Sequence, residues 1–200
     1  MWYHGTAEYH KFKGKFKYNP HSKERIINLK EYYVLQKKLK TWKGNHKGWL
    51  DILQQISKCK EKYKYEAIFF TDNIEVARTY ANSSLSFHYE SVSKIIKAEL
   101  DCDSIITVDA SGNDFFKIPH QNVRKAFKNH GHSDINEVLL FFGFYSVSNK
   151  DVSTDTLAAI GHYYGYDCVE IINVNDNYNS SKDKSQSTER IILDHRKIKI

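Results

Sequence analysis

Three short segments carry side chains whose types could perform one piece of chemistry. Near the C-terminus, Thr188-Glu189-Arg190-Ile191-Ile192-Leu193-Asp194 sets a carboxylate, Glu189, at the entry of a short apolar strand. A carboxylate beside a cleft can stabilise an oxocarbenium-like centre and accept a hydrogen bond from a sugar hydroxyl. At the other end, Tyr3-His4-Gly5-Thr6 puts an imidazole next to a residue with no side chain. That pairing presents a ring nitrogen while bare backbone allows close approach. Between them, Phe69 and Tyr80 stand eleven residues apart, one at the end of an apolar run and one on a helical pattern. They could wall a slot for a flat ring. Each segment alone has an ordinary account: a turn histidine, two core aromatics, a surface glutamate.

Other chemistries find less support. His130-Gly131-His132 has no cysteine or further histidine at zinc-site spacing, so no metal is expected. There is no P-loop and no GxGxxG. Cys59, Cys102 and Cys168 are odd in number and form no CxxC pair, which favours a reducing compartment. No leader and no apolar run near ~18 residues are visible, so a soluble, cytoplasmic chain with no membrane partner is expected.

The elements that must position these residues follow from periodicity. Trp2 to His4 reads as a strand ending at Gly5, and residues 7–22 as a loop or extended arm. Helical spacing runs from Glu24 to Lys40 and from Trp49 to Tyr63, where Trp49, Ile52, Leu53 and Ile56 share a face. Ala67 to Phe70 is a strand, and Thr71-Asp72-Asn73 caps a helix through Tyr80. Strands are predicted at 92–100, 104–109, 167–173, 189–194 and 197–200. Helices are predicted at 122–129, 134–142 and 154–164. The polar stretch from Asn175 to Gln186 has no apolar period and reads as a mobile loop. Strands at both ends and in the middle, with helices inserted, define an α+β fold. Two hundred residues make one domain that buries roughly 70% of its unfolded surface.

Charge is uneven. Residues 7–65 hold 16 Lys/Arg against 5 Asp/Glu, while the remainder holds 14 against 19. Aromatics interleave the lysines in Lys11 to Tyr18, Lys37 to Lys43 and Lys58 to Tyr65. Lysines neutralise phosphates and rings stack on bases, so this region suits nucleic acid. A solvated helix face or a charge-steered protein partner would use the same residues.

Taken together, the three segments resemble the ADP-ribosyltransferase superfamily, in the His-Tyr-Glu branch of poly(ADP-ribose) polymerases and diphtheria-type toxins. Tyr3 to Thr6 is similar to its first motif, Phe69 to Ala81 to its second, and Thr188 to Asp194 to its third. Ser104 to Pro119 and Gly165 to Asp176 look like connecting strands of phage and bacterial members. The resemblance departs at Phe69, where many relatives have Tyr, and at Tyr65-Glu66-Ala67, where Gly-x-Gly is usual. It departs again at Cys168, where Gly is usual, and at Ser187, which disfavours an arginine acceptor.

The resemblance implies a single domain with a split mixed/antiparallel β core and a basic, mostly helical insertion at about 7–65. It implies NAD as substrate and no metal. His4, Gly5, Thr6, Phe69, Thr71 and Tyr80 would bind it, with Glu189, His4 and Tyr80 in the catalytic set. The stretch from Asn175 to Thr188 would choose the acceptor, through Asn179, Lys182, Gln186 and Ser187. The implied activity is mono-ADP-ribosyl transfer to nucleic acid or, alternatively, to a host protein, by an intracellular toxin or antiphage effector with a neutralising antitoxin partner. A non-catalytic nucleic-acid-binding module on the same fold is a further alternative.

Overall fold

The computed structural model describes residues 1–7, 31–32, 34–61, 67–85, 93–142, 151–175 and 186–200. The chain divides into two compact units, residues 19–66 and residues 1–18 with 67–200. In the smaller unit, residues 34–40 are helical, and a second helix, α1, spans His46–Glu61. Asn45 opens α1 by accepting the Gly48 N–H on its side-chain oxygen at 2.9 Å, a capping bond. The buried stripe of α1 is Ile52, Ile56 and Cys59. Trp49, expected on that face, is exposed and stacks on His46 in the first turn, ring centroids 5.9 Å apart. The predicted arm at 7–22 and the first half of the predicted helix at 24–40 lie outside the described residues.

The larger unit is mixed α/β around a mostly antiparallel sheet. Its strands are β1 (Trp2–Ala7), β2 (Ile68–Thr71), β3 (Ser93–Leu100), β4 (Ile105–Asp109), β7 (Cys168–Asn175), β8 (Gln186–Ile192) and β9 (Ile198–Lys199). They lie in the order β4-β7-β8-β2-β1-β3-β9. Among the described strands only β4 and β7 run parallel. A separate pair, β5 (Ile118–Pro119) and β6 (Asp151–Val152), is antiparallel. The helices are α2 (Ile74–Leu85), α3 (His120–Asn129), α4 (Ile135–Phe142) and α5 (Thr154–Tyr164). Serine at position 153 caps α5 through the Thr156 N–H, and Gly165 ends it in the left-handed conformation, φ 82°.

Alternation along the strands separates two faces. Phe70, Cys168 and Ile192 join Ala98 in a buried cluster on one face, with Trp2, Ile68 and Ile105 packed against it. Arg190 ties that face together. Its guanidinium donates twice to Glu170 Oε1, at 2.9 and 2.8 Å, and lies 4.4 Å over the Trp2 ring.

The other face carries the helices: α2 rests on β1 and β3, α3 on β4 and α5 on β7. Two glycines permit close approach. A Cβ on Gly5 would fall 1.9 Å from the Ala77 carbonyl of α2, and one on Gly161 of α5 would fall 2.3 Å from Val169 of β7. Val123, Phe127, Leu157 and Ile160 fill the space over β4 and β7 completely buried, each stabilising by about 1.5–3 kcal/mol. The helices leave the middle strands, β2 and β8, as the floor of a gap.

Candidate functional site

A cleft of about 320 Å³ opens over β2 and β8. Phe69 and Thr71 line it from β2, Glu189 from β8, and Tyr3, His4 and Gly5 from β1. One wall is α2, with Ala77 and Tyr80; the facing wall is Phe115 and Phe116 with Thr154 and Asp155 at the start of α5. Its volume stands at the small end of the roughly 300–1,000 Å³ of small-molecule sites.

Register explains the floor. Tyr3 pairs with Thr71, and Thr71 with Glu189, so the three stand on one rung across β1, β2 and β8. Partners on a rung share a face, and Phe69, two residues from Thr71, shares it too. That rung is the single one joining β1 to β2, whereas β1 pairs with β3 at six positions. Beyond the rung the two strands lose their ladder, and the cleft opens there.

His4 bridges that opening. Its Nδ1 lies 2.8 Å from the Phe69 carbonyl oxygen. A carbonyl only accepts, so Nδ1 carries the proton and Nε2 is the acceptor nitrogen of the neutral ring. Burial holds the His4 pKa below its ordinary value, and the bond to Phe69 opposes this more weakly. The imidazole is therefore neutral at neutral pH, with a lone pair suited to a sugar hydroxyl.

Glu189 is 5% exposed. Two features fix it. Past the end of β2, the Asp72 N–H donates to the Thr188 carbonyl at 3.1 Å, and the Thr188 N–H returns to Asp72 Oδ1 at 2.9 Å. On the other side, β7 shifts register between Ile171, opposite Glu189, and Val174, opposite Ser187. Asn173 takes up the extra length at φ 57°, and its amide donates to Asp109 Oδ1 at 3.0 Å. A bulge of this kind re-aims the adjoining side chains. Asp72 thus serves β8, and Asn73 caps α2 by accepting the Glu75 N–H at 2.9 Å.

The facing wall went unnoticed in the sequence. The Thr154 N–H donates to the Phe115 carbonyl at 3.1 Å, joining two segments far apart in the chain. Phe115 stands edge-on to Tyr80 at 6.3 Å between centroids, and Phe116 packs on Phe115 at 3.9 Å.

Of the residues expected to form one site, His4, Gly5, Phe69, Thr71, Tyr80 and Glu189 line this one cleft. Gly5 also serves helix packing: a Cβ there would meet the α2 backbone. Thr6 continues β1 opposite Lys94, and its side chain lies outside those described. The expected acceptor loop also changes. Gln186 and Ser187 belong to β8, paired with Asn175 and Val174, and Ser187 is buried with no described partner for its hydroxyl. Its side chain sits inside the fold, because it shares the inward face of Glu189. Asn179 and Lys182 lie outside the described residues.

His132 of the HGH triplet is engaged, its Nε2 2.8 Å from the Tyr166 hydroxyl and its ring stacked on Tyr164. Among the described residues no cluster of three or more His, Cys, Asp or Glu could hold a metal ion. Among them, too, no helix is long and apolar enough to cross a membrane.

The chemistry this arrangement can support is specific. Aromatic walls accept a planar ring, a neutral imidazole accepts a hydroxyl proton in hydrogen bonding, and a buried carboxylate faces any positive charge that develops between them. Comparison of the chain with protein-family models, with curated proteins and with solved structures returns no match.

Proposed function

We propose that the chain is an NAD-dependent mono-ADP-ribosyltransferase of the His-Tyr-Glu type, built on an ADP-ribosyltransferase-like fold. It cleaves the nicotinamide–ribose bond and transfers ADP-ribose to a macromolecular acceptor, nucleic acid ahead of protein, as a toxin or antiphage effector. The carrying observation is convergence: positions 4–5, 69–80 and 189, remote in sequence, line a single cleft of about 320 Å³.

In this reading nicotinamide lies against Phe69 and Tyr80, with its amide at the Gly5 backbone. The volume suits the ring and its ribose, and the rest of the dinucleotide extends past the opening. His4 Nε2 accepts from a hydroxyl of the adenosine ribose. The glycosidic bond breaks with its electron pair leaving on nicotinamide, and positive charge grows at C1 of the ribose. Glu189 accepts from the 2′-hydroxyl and stabilises that charge in a water-poor setting. An acceptor lone pair then attacks C1, and the acceptor loses its proton.

The test is incubation of the purified protein with NAD labelled in the ADP-ribose half and a whole-cell lysate. Nicotinamide release with label in a macromolecular fraction is expected. Label in neither protein nor nucleic acid, with no nicotinamide released, defeats the proposal. Label in protein alone assigns the alternative acceptor.

A further inference from the structure

The segment from Phe115 to His130 holds four Lys/Arg and no Asp/Glu, inside a part of the chain, residues 66–200, where acidic residues outnumber basic ones. It begins at the cleft. Phe116 lines the cleft yet is 54% exposed, the ring at its outer lip. A turn holds it there: the Phe116 N–H donates to Asp114 Oδ1 at 2.9 Å, and the Lys117 N–H to the Asp114 carbonyl at 2.8 Å. Lys117 is exposed beside it, and α3 starts three residues later.

The helix sorts its residues cleanly. Val123 and Phe127 are fully buried. Gln121, Lys125 and Lys128 are all exposed, spaced i, i+4, i+7, and so fall on one stripe on the side away from the core pair. No carboxylate shares the helix to neutralise it. Asn122 anchors the helix start, donating to the Asp109 carbonyl at 2.7 Å and to Ser111 Oγ at 2.9 Å. The lysines therefore ride on a fixed element of about 15 Å. Asp109 is occupied by Ser111 N–H and the Asn173 amide.

We infer that Phe116, Lys117 and the Gln121–Lys125–Lys128 stripe of α3 form the acceptor track for single-stranded nucleic acid, leading a base to the mouth of the cleft. The inference rests on the transferase reading for its purpose, but not for its binding chemistry. A row of lysines tracks phosphates, and an exposed ring accepts any base by stacking. Phe116 then holds the base over the cleft, within which C1 of the ribose is exposed to attack. The placement assigns acceptor choice to this wall in place of the stretch before Glu189.

Binding of fluorescent single-stranded DNA and RNA oligonucleotides, over a salt series, tests this beside nicotinamide release from NAD. The triple variant Lys117→Gln, Lys125→Gln, Lys128→Gln should release nicotinamide at the wild-type rate. Its plot of log affinity against log salt should be shallower by about 2, at about 0.7 per phosphate contact on a single strand. Phe116→Ala should bind roughly 5- to 150-fold more weakly at unchanged salt slope, the range for losing one base–aromatic stack. The two arms tell whether DNA or RNA is preferred. No binding by the wild type, a triple variant with the wild-type slope, or transfer to protein alone overturns the inference. Absence of nicotinamide release with the binding pattern intact overturns the transferase reading and leaves the track standing.

Discussion

Glu189→Gln isolates the charge on which the proposed chemistry depends. Glutamine keeps the size of the side chain, and the rung from Thr71 through Glu189 to Ile171 is made by backbone pairing, so the sheet survives the exchange. What disappears is a carboxyl group that is 5% exposed. At ~4 Å from a developing ribosyl cation, a unit charge is worth about 4 kcal/mol at an effective dielectric of about 20, against about 1 kcal/mol in water. Burial places Glu189 near the first figure. Preorganised groups of this kind contribute about 2.7–4 kcal/mol on removal, which is a loss of about 100- to 1000-fold in kcat. The charge acts on the transition state, so KM should change little. The assay is nicotinamide release under single-turnover conditions, with a thermal melt to confirm folding. A folded variant within about tenfold of wild type, or about 1.4 kcal/mol, refutes the assignment.

Further outcomes follow from the same geometry. Gly5→Ala drives a methyl group into the Ala77 carbonyl; overpacking should cost about 1–3 kcal/mol or more, with Tm falling roughly 2–4 °C per kcal/mol in a scanning melt. Asn173→Val should destabilise by about 1–2 kcal/mol because the left-handed backbone excludes a β-branched residue, whereas Asn173→Gly should restore the bulge and lose only the bond to Asp109; equal melts for the two variants would show that φ is not the constraint. His4 titrates below its ordinary pKa in the fold. Between the unfolded value of about 6.5 and that lowered pKa, the unfolded chain takes a proton the folded one refuses, so this contribution to stability is complete above about pH 6.5 and declines as pH falls through the window. Denaturant unfolding of His4→Asn against wild type over that range should show the smaller pH slope in the variant, and parallel slopes would contradict the assignment.

The parts of the site that were legible in the sequence are those built on local pattern. His4 sits on a strand, and Phe69 and Tyr80 flank a strand–turn–helix whose caps are visible as Thr71-Asp72-Asn73. The facing wall was not legible, because two-residue strands position it. Ile118 pairs with Val152 across more than thirty residues, and beside that pairing the Thr154 N–H meets the Phe115 carbonyl. Neither segment is long enough to show a period. The start of β8 was hidden for a different reason. Its inward positions, Ser187 and Glu189, are polar like the outward ones, so the alternation that marks a half-buried strand is absent until Ile191. Polarity there belongs to a strand, and Glu189 on it lines the cleft.

That inward polarity bears on how the fold tolerates its own cleft. A continuous sheet would bury the inward face of β2 and β8 beneath helices, and a carboxylate there would be expensive without partners. The chain leaves a small cleft over this face at the β1–β2 junction. With one rung in place of a full ladder, α2 follows β1 and β3, held by the contact of Gly5 with Ala77, while α5 follows β7 through Gly161 and Val169. The helices are drawn apart, and the strands between them floor a small, largely aromatic cleft in which Glu189 stays 5% exposed. The two glycines thereby set the width of the cleft, Gly5 from its lining and Gly161 from outside it. A larger residue at either position should then disturb the edge-on contact of Tyr80 with Phe115, 6.3 Å between ring centres, and alter ring binding even in variants that still fold. Binding of nicotinamide to folded Gly161→Ala reads this directly: an affinity equal to wild type would show that the cleft is set by β2 and β8 alone.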